Sequence, residues 1–346
     1  MATNELDAAT RHQIYVGRYS TNVANRLIAL LNRADKHLMA QIALVLQNAP
    51  ESFKAAYLDS LLKSVNNLLK SLYEEVGNEL QASLRQFAKN EAHFNMALLN
   101  NAAGRANVVG SLASVSPNTV YAAAMARPFQ GVLLKEALKG IESGVAKRIR
   151  DEIRMGIIEG RTNDQMVRAI YGTRANGHAD GLLNWSRRGV DSLVRTAVNH
   201  TSNVARQVSY EANSDLLRGW MFVATLDGRT TLTCAALSGK IFPIGEGPMP
   251  PRHWGCRSTS IPVLKGQEKL LGQRASKDGP VDANLDFSDW LRNQPHDVQD
   301  DILGPTRAEL FRAKKIQVDR FTDARGNVLT LEQLKKKDKS LFELVK

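Results

Sequence analysis

Apolar residues recur every three or four positions from residue 21 to 47, at Val23, Leu27, Leu30, Leu31, Ala34, Leu38, Ile42 and Val45. That spacing predicts an amphipathic helix with a single buried stripe. Asn48, Ala49 and Pro50 stop it, since proline removes a ladder donor and clashes with the preceding turn. A second stripe follows at Leu61, Val65, Leu68, Leu72, Val76, Leu80, Leu84 and Phe87. Two long amphipathic helices joined by a short turn predict an antiparallel hairpin in which each covers the other's stripe, with an oligomeric coiled coil as the alternative. Residues 1–20 are polar and mixed, and read as a frayed arm or a short helix.

Residues 101–119 are rich in Gly, Ala, Ser and Asn, which suits a flexible crossover. A third helical region follows, broken at Pro128, with Phe129, Val132, Leu133 and Leu138 as core candidates. Over 141–159, Val145, Ile149, Ile153 and Ile157 predict one apolar side, and Lys147, Arg148, Arg150 and Arg154 occupy another. Gly160 ends that helix, and residues 161–164 supply a fresh cap for a helix to about Ile170. Glycines break the pattern over 171–185. The next helix, 186–214, has an apolar side at Val190, Leu193, Val194, Ala197, Val204 and Val208, with Asn199 and His200 at its middle as surface or hydrogen-bonded residues.

The period then changes. Residues 219–226 read as a strand, with 239–242 and 258–263 as its partners in a small sheet packed on the helix and crossed by the Pro-rich loop 243–252. Residues 265–286 read as an exposed polar link. Beyond 287 short helices return, the last opened by a capping box at Thr330 and Gln333. The expected fold class is therefore α+β, mainly α-helical. Four segments are expected: a helical hairpin region (1–119), a mixed domain (120–264), a linker (265–286) and a C-terminal extension (287–346).

Charge narrows the partners. The chain of 346 residues carries a formal net charge of +11, which favours an anionic partner, nucleic acid first. The basic residues are spread over helices without a zinc-finger, helix-turn-helix or RNP pattern, so phosphate contact without base readout is the expected mode. Arg148, Arg150, Arg154, Arg187, Arg188, Arg195 and Arg206 are the candidate contacts with double-stranded DNA or an acidic protein surface. An aromatic content of 6% argues against a base-stacking platform. Two cysteines exclude a disulfide scaffold. Neither a run of eighteen apolar residues nor a basic-then-apolar start is present, so no membrane partner is expected. P-loop, Rossmann, HExxH and nucleophile-elbow patterns are likewise missing, which argues against enzymes of those classes.

The candidate chemistry is concentrated in residues 227–262, which hold both cysteines, Cys234 and Cys256, and His253 three residues before the second. The His-x-x-Cys spacing lets two side chains converge on one ion from a tight turn, with Asp227 or water to complete a site suited to zinc. The position three before Cys234, where a Cys-x-x-Cys pair would begin, holds Thr231. The competing and preferred reading packs both cysteines as small apolar side chains beside a hydrogen-bonded histidine. A Cys234–Cys256 disulfide and a thiol nucleophile with a histidine base are further alternatives.

The runs DGRTTLTCAALSGKIFP and PPRHWGCRSTSIP resemble the Mu F-like phage head morphogenesis family, the minor head proteins of the SPP1 gene 7 type. The resemblance rests on Asp227, Arg229, Thr230, Cys234, Leu237, Gly239, Lys240, Pro251, His253, Cys256 and Arg257, and departs from the family's Cys-x-x-Cys at Thr231. It implies a non-enzymatic minor head protein, made in the host cytoplasm and carried in the capsid interior. Its implied partners are the portal, the capsid or scaffolding proteins, and packaged DNA, with roles in assembly, packaging and ejection. A metal-dependent nuclease or toxin-like enzyme using Asp227, Cys234, His253 and Cys256 is the alternative.

Overall fold

The computed structural model describes residues 5–47, 55–105, 111–267, 270, 272–314, 316–323 and 326–342. In order these form α1 (Glu5–Gln47), α2 (Ala55–Arg105), α3 (Pro117–Ala126), α4 (Leu134–Ile158), α5 (Asn163–Tyr171) and α6 (Leu183–Ala212). Then come β1 (Leu217–Val223), α7 (Leu232–Leu237), β2 (Ile241–Phe242), β3 (Thr259–Leu264), β4 (Gln273–Ser276) and β5 (Gly279–Asp282). The C-terminal part holds α8 (Phe287–Arg292), α9 (His296–Leu303), α10 (Pro305–Lys314) and α11 (Leu331–Lys337). The mainly helical α+β class read from the sequence is the observed one. The proline turn at residues 48–50 lies outside the described residues, as do 106–110 of the expected crossover and 324–325 of the expected turn before α11.

The chain folds as two compact units whose segments alternate along the sequence, a different division from the serial one read above. One comprises Arg18–Gln86 and Met125–Val198. There α1 and α2 run antiparallel: Tyr19 donates to the Ser83 carbonyl at 2.8 Å, and seven residues later Arg26 reaches back to Glu79. Val23, Leu27, Leu31, Leu38 and Ile42 are buried, as are Val65, Leu72, Val76, Leu80 and Leu84, so both predicted stripes face inward. Val145, Ile149 and Ile153 of α4 are buried as expected, but α4 starts seven residues before the predicted 141. The Glu136 side chain supports that earlier start by accepting from the Leu133 N–H at 3.0 Å. Thr162 and Gln165 close the capping box that opens α5. Arg187 of α6 pairs with Asp35 of α1 at 2.5 Å. Burial of Asp35 outweighs that attraction and raises its carboxyl to about 6.

The other unit comprises Met1–Gly17, Phe87–Ala124 and Asn199–Lys346. Here the frayed-arm reading of residues 1–20 is corrected, since α1 is already formed at Glu5. Leu6 and Ala9 pack with Val223, Ile261, Leu270 and Ala283, burial too sparse in sequence to stand out as a stripe. The expected crossover is also shorter than read, because α2 continues to Arg105 and α3 begins at Pro117. The sheet is antiparallel, in the order β2–β1–β3, with Met221 opposite Ile241 on one side and Ile261 on the other. Period-2 alternation sends Trp220 and Phe222 to one face, where they pack with Leu99, Tyr210, Cys234, Leu237 and Cys256. Val223 and Ile261 belong to the opposite face. At Gly219 a Cβ would lie 2.3 Å from the Phe242 carbonyl oxygen, so glycine is what lets β2 approach the irregular start of β1. The loop after β2 covers the sheet as expected, accepting the Trp220 indole N–H at the Glu246 carbonyl, 3.0 Å away.

The exposed-link reading of 265–286 is also corrected. Residues 273–282 form the β4–β5 hairpin. Lys277 N–H donates to the Leu226 carbonyl at 2.9 Å and Arg274 to the Ala224 carbonyl at 2.6 Å, which ties the hairpin to the end of β1. Lysines and glycines disguised it. The tail then shares a core with α7: Leu232, Ala235 and Ala236 pack with Phe287, Trp290, Leu291, Phe311 and Phe321.

Candidate metal centre

The segment after β1 makes a tight reversal. Asp227 accepts from the Arg229 N–H at 3.0 Å, and Thr230 Oγ1 donates to the Thr225 carbonyl at 2.6 Å. Thr231 then caps α7, a short helix between β1 and β2 that the sequence reading did not place. Its first turn brings Cys234 inward. The second half of the site comes from a turn after the cis Pro250–Pro251 bond, in which the Cys256 N–H donates to the His253 carbonyl at 3.1 Å. Gly239, at φ +82°, adopts the left-handed conformation that returns the chain from α7 to β2, and its N–H donates to the Phe222 carbonyl at 2.8 Å.

These turns bring Cys234, His253 and Cys256 together, with one ligand atom of each within 4.8 Å of the others. The two sulfurs are 3.7 Å apart in free, buried cysteines, so they are not joined as a disulfide. Two thiolates of a tetrahedral zinc, each about 2.3 Å from the metal, are separated by about 3.8 Å, so the observed spacing fits the ion. His253 Nδ1 lies 3.0 Å from the Trp254 carbonyl oxygen. A ring N–H donated there leaves Nε2 as the ligand atom, the usual outer-shell arrangement for a metal-binding histidine.

The electrostatics agree with that donor set. A hydrogen bond from Cys234, then one from His253, holds the Cys256 thiol well below its usual range despite burial. Cys234 is pushed up, first by that same hydrogen bond and then by burial. His253 is raised chiefly by its hydrogen bond with Cys256. The cluster thus favours the thiolate of Cys256 over that of Cys234. With Cys256 only 3% exposed, a substrate carbonyl has little approach to its sulfur, which weighs against the nucleophile reading.

Asp227 is not in the cluster. Both its oxygens accept from Arg257, at 2.5 and 2.7 Å, and these bonds outweigh burial to hold its carboxyl below the usual range. Thr231 lines the same small cavity, of about 20 Å³, as Cys234 and His253. That is room for about one water in the fourth position.

The remaining residues of the motif lie outside the cluster. Leu237 and Pro251 are buried, Lys240 faces Asp319 at 3.5 Å, and Arg229 is exposed beside Asp227.

The seven arginines separate into different settings. Arg148, Arg154 and Arg188 are exposed, with the Arg148 guanidinium 4.6 Å above the Trp185 ring. Arg150 pairs with Asp151, Arg187 with Asp35, and Arg195 with Asp191 and Thr21. Arg206 is wholly buried, bonded to Thr259 and stacked over Phe94, and its assignment as a surface contact is withdrawn.

Beside the Cys–His cluster runs a buried polar layer that the sequence reading missed. Glu91 accepts from Ser202 at 2.7 Å and meets His12 at 2.5 Å. Asn199 donates to the Cys256 carbonyl at 2.8 Å, and His200 is bonded to the Ala124 carbonyl oxygen, so both mid-helix residues are hydrogen-bonded and buried. One signal was available. Phe87, Glu91 and Asn95 continue the α2 stripe at four-residue spacing, so polar residues stand on an apolar face.

The arrangement is that of a helical scaffold closed by a Cys–His clasp, a class that the comparisons narrow. Residues 147–261 match the family described as Phage Mu protein F like protein. A protein of Escherichia phage Mu named for capsid assembly, protein F, is 24% identical over 155 residues. The match covers 40% of this chain and 35% of that protein, so it spans about a third of the relative's length. No solved structure matches the chain. The family segment contains the whole clasp.

Proposed function

We propose that this chain is a phage head-assembly protein, a minor head component that works at the portal vertex from the capsid interior. The observation that carries the reading is the Mu F-like match over 147–261, which includes α6, β1, β2, the start of β3 and the Cys–His clasp. The role is structural. The clasp fixes the reversal between β1 and β3, and the exposed cations of α4 and α6 meet packaged DNA or an acidic portal or scaffolding surface. No helix among the described residues is long and apolar enough to cross a membrane.

DNA contact of this kind is read by salt. The logarithm of the binding constant should fall linearly with the logarithm of salt concentration, at about 0.9 per phosphate neutralised. Replacing Arg148, Arg154 and Arg188 together by alanine is expected to lower that slope by about three, and Arg206→Ala is not expected to change it through phosphate contact. A binding constant insensitive to salt contradicts the DNA part of the proposal.

The open fourth position of the cluster favours one second reading, a metal-dependent nuclease. DNA cleavage by the wild-type chain that disappears with a chelator and in His253→Ala supports that reading. The structural role predicts no cleavage under either condition.

A further inference from the structure

A cavity of about 400 Å³ opens among the sheet, α7, the β4–β5 hairpin and the start of α8. Its wall is apolar at Met221, Ile241, Val263, Leu270 and Phe287, and one guanidinium, that of Arg274, lines it. Arg274 is 3% exposed. Its Nη2 donates to the Ala224 carbonyl at 2.6 Å, while its buried Nε finds no acceptor among the described residues. Burial alone lowers the group to about 10, without a neighbouring carboxylate to offset it. The other charges at the cavity are already engaged. Asp286 caps α8 by accepting from the Asp289 N–H at 2.7 Å, and Asp319 faces Lys240 at 3.5 Å.

A buried cation with a single backbone acceptor is costly unless an anion meets it. We propose that this cavity binds a carboxylate carried on an apolar group. The carboxylate lies against Arg274, the apolar group lies on the sheet face at Met221 and Val263, and Lys240 stands at the mouth. A carboxylate fits better than a phosphate dianion, because Asp286 and Asp319 oppose a second negative charge and the planar guanidinium fork matches a planar carboxylate. The volume is within the range of small-ligand sites. Two sources present this chemistry, a free small aliphatic acid and the C-terminal residue of a peptide. The inference is independent of the head-assembly reading.

The test is calorimetric titration of the full chain with hexanoate, with hexanamide, and with a tripeptide ending in leucine as the acid and as its amide. The acid is expected to bind at least about tenfold more tightly than the matching amide, the value of one charge-assisted hydrogen-bond set. Preference for the peptide acid over hexanoate identifies a chain terminus as the source, the reverse identifies a free acid, and both uphold the site. Arg274→Met should erase the acid preference, and Lys240→Gln, at an exposed position, should weaken it if Arg274→Met fails to fold. Equal binding of acid and amide, or binding of neither at millimolar concentration, overturns the proposal.

Discussion

Zinc is expected to raise the thermal unfolding midpoint of the full chain, and His253→Ala and Cys256→Ser are each expected to abolish the rise. The argument is geometric. Both thiols and the imidazole already lie within 4.8 Å of one another, and the sulfur separation of 3.7 Å is the edge of a zinc tetrahedron. An ion that binds the folded chain alone stabilises it by about 2.7 kcal/mol at a hundredfold excess over its Kd. Losing one of three protein ligands should remove most of that gain. Asp227→Asn provides the contrast, because Asp227 bonds to Arg257 and not to the cluster. It should lower stability with and without zinc while preserving the zinc shift. Thr231→Cys should bind zinc more tightly than the wild type, since residue 231 borders the cavity at the fourth position. A midpoint unmoved by zinc returns the cysteines to the packing role preferred from the sequence.

The second large effect is expected at Glu91, which is fully buried. Its two oxygens serve His12 and Ser202, so Glu91→Ala deletes the shared acceptor, strands the buried Ser202 hydroxyl and the half-buried His12 ring, and opens a cavity. The expected cost is about 3–5 kcal/mol, the range for breaking a buried polar pair. Glu91→Gln keeps the shape and one acceptor and should cost less, and Ser202→Ala should cost about 1 kcal/mol. Urea unfolding of the three variants checks the order. An Ala variant as stable as the wild type means that the layer contributes no net stability.

The long helices were legible because their period is clean, and the sheet because of its composition. Val23 to Ile42 repeats near 3.6, and residues 220–226 form a short apolar run with β-branched and aromatic residues. The three strands of the sheet lie within a few residues of their predicted places. What escaped was organised by tertiary contact. Leu6 and Ala9 are buried against the sheet face at Val223 and Ile261, and the buried Arg274 ties a polar stretch to the end of β1. The cluster residues Cys234, His253 and Cys256 were visible from spacing. Asp227 was misplaced because spacing cannot tell a ligand from the partner of Arg257, thirty residues away. Arg206 was misplaced because charge alone groups it with Arg187, Arg188 and Arg195 of α6, while its own position faces Phe94 and Thr259.

The central claim is that the chain is a structural part of a phage head. Its most direct test is quantitative mass spectrometry of purified procapsids and DNA-filled particles. The account predicts a small, fixed number of copies per particle, present before packaging and retained after it. Absence from both kinds of particle contradicts the account.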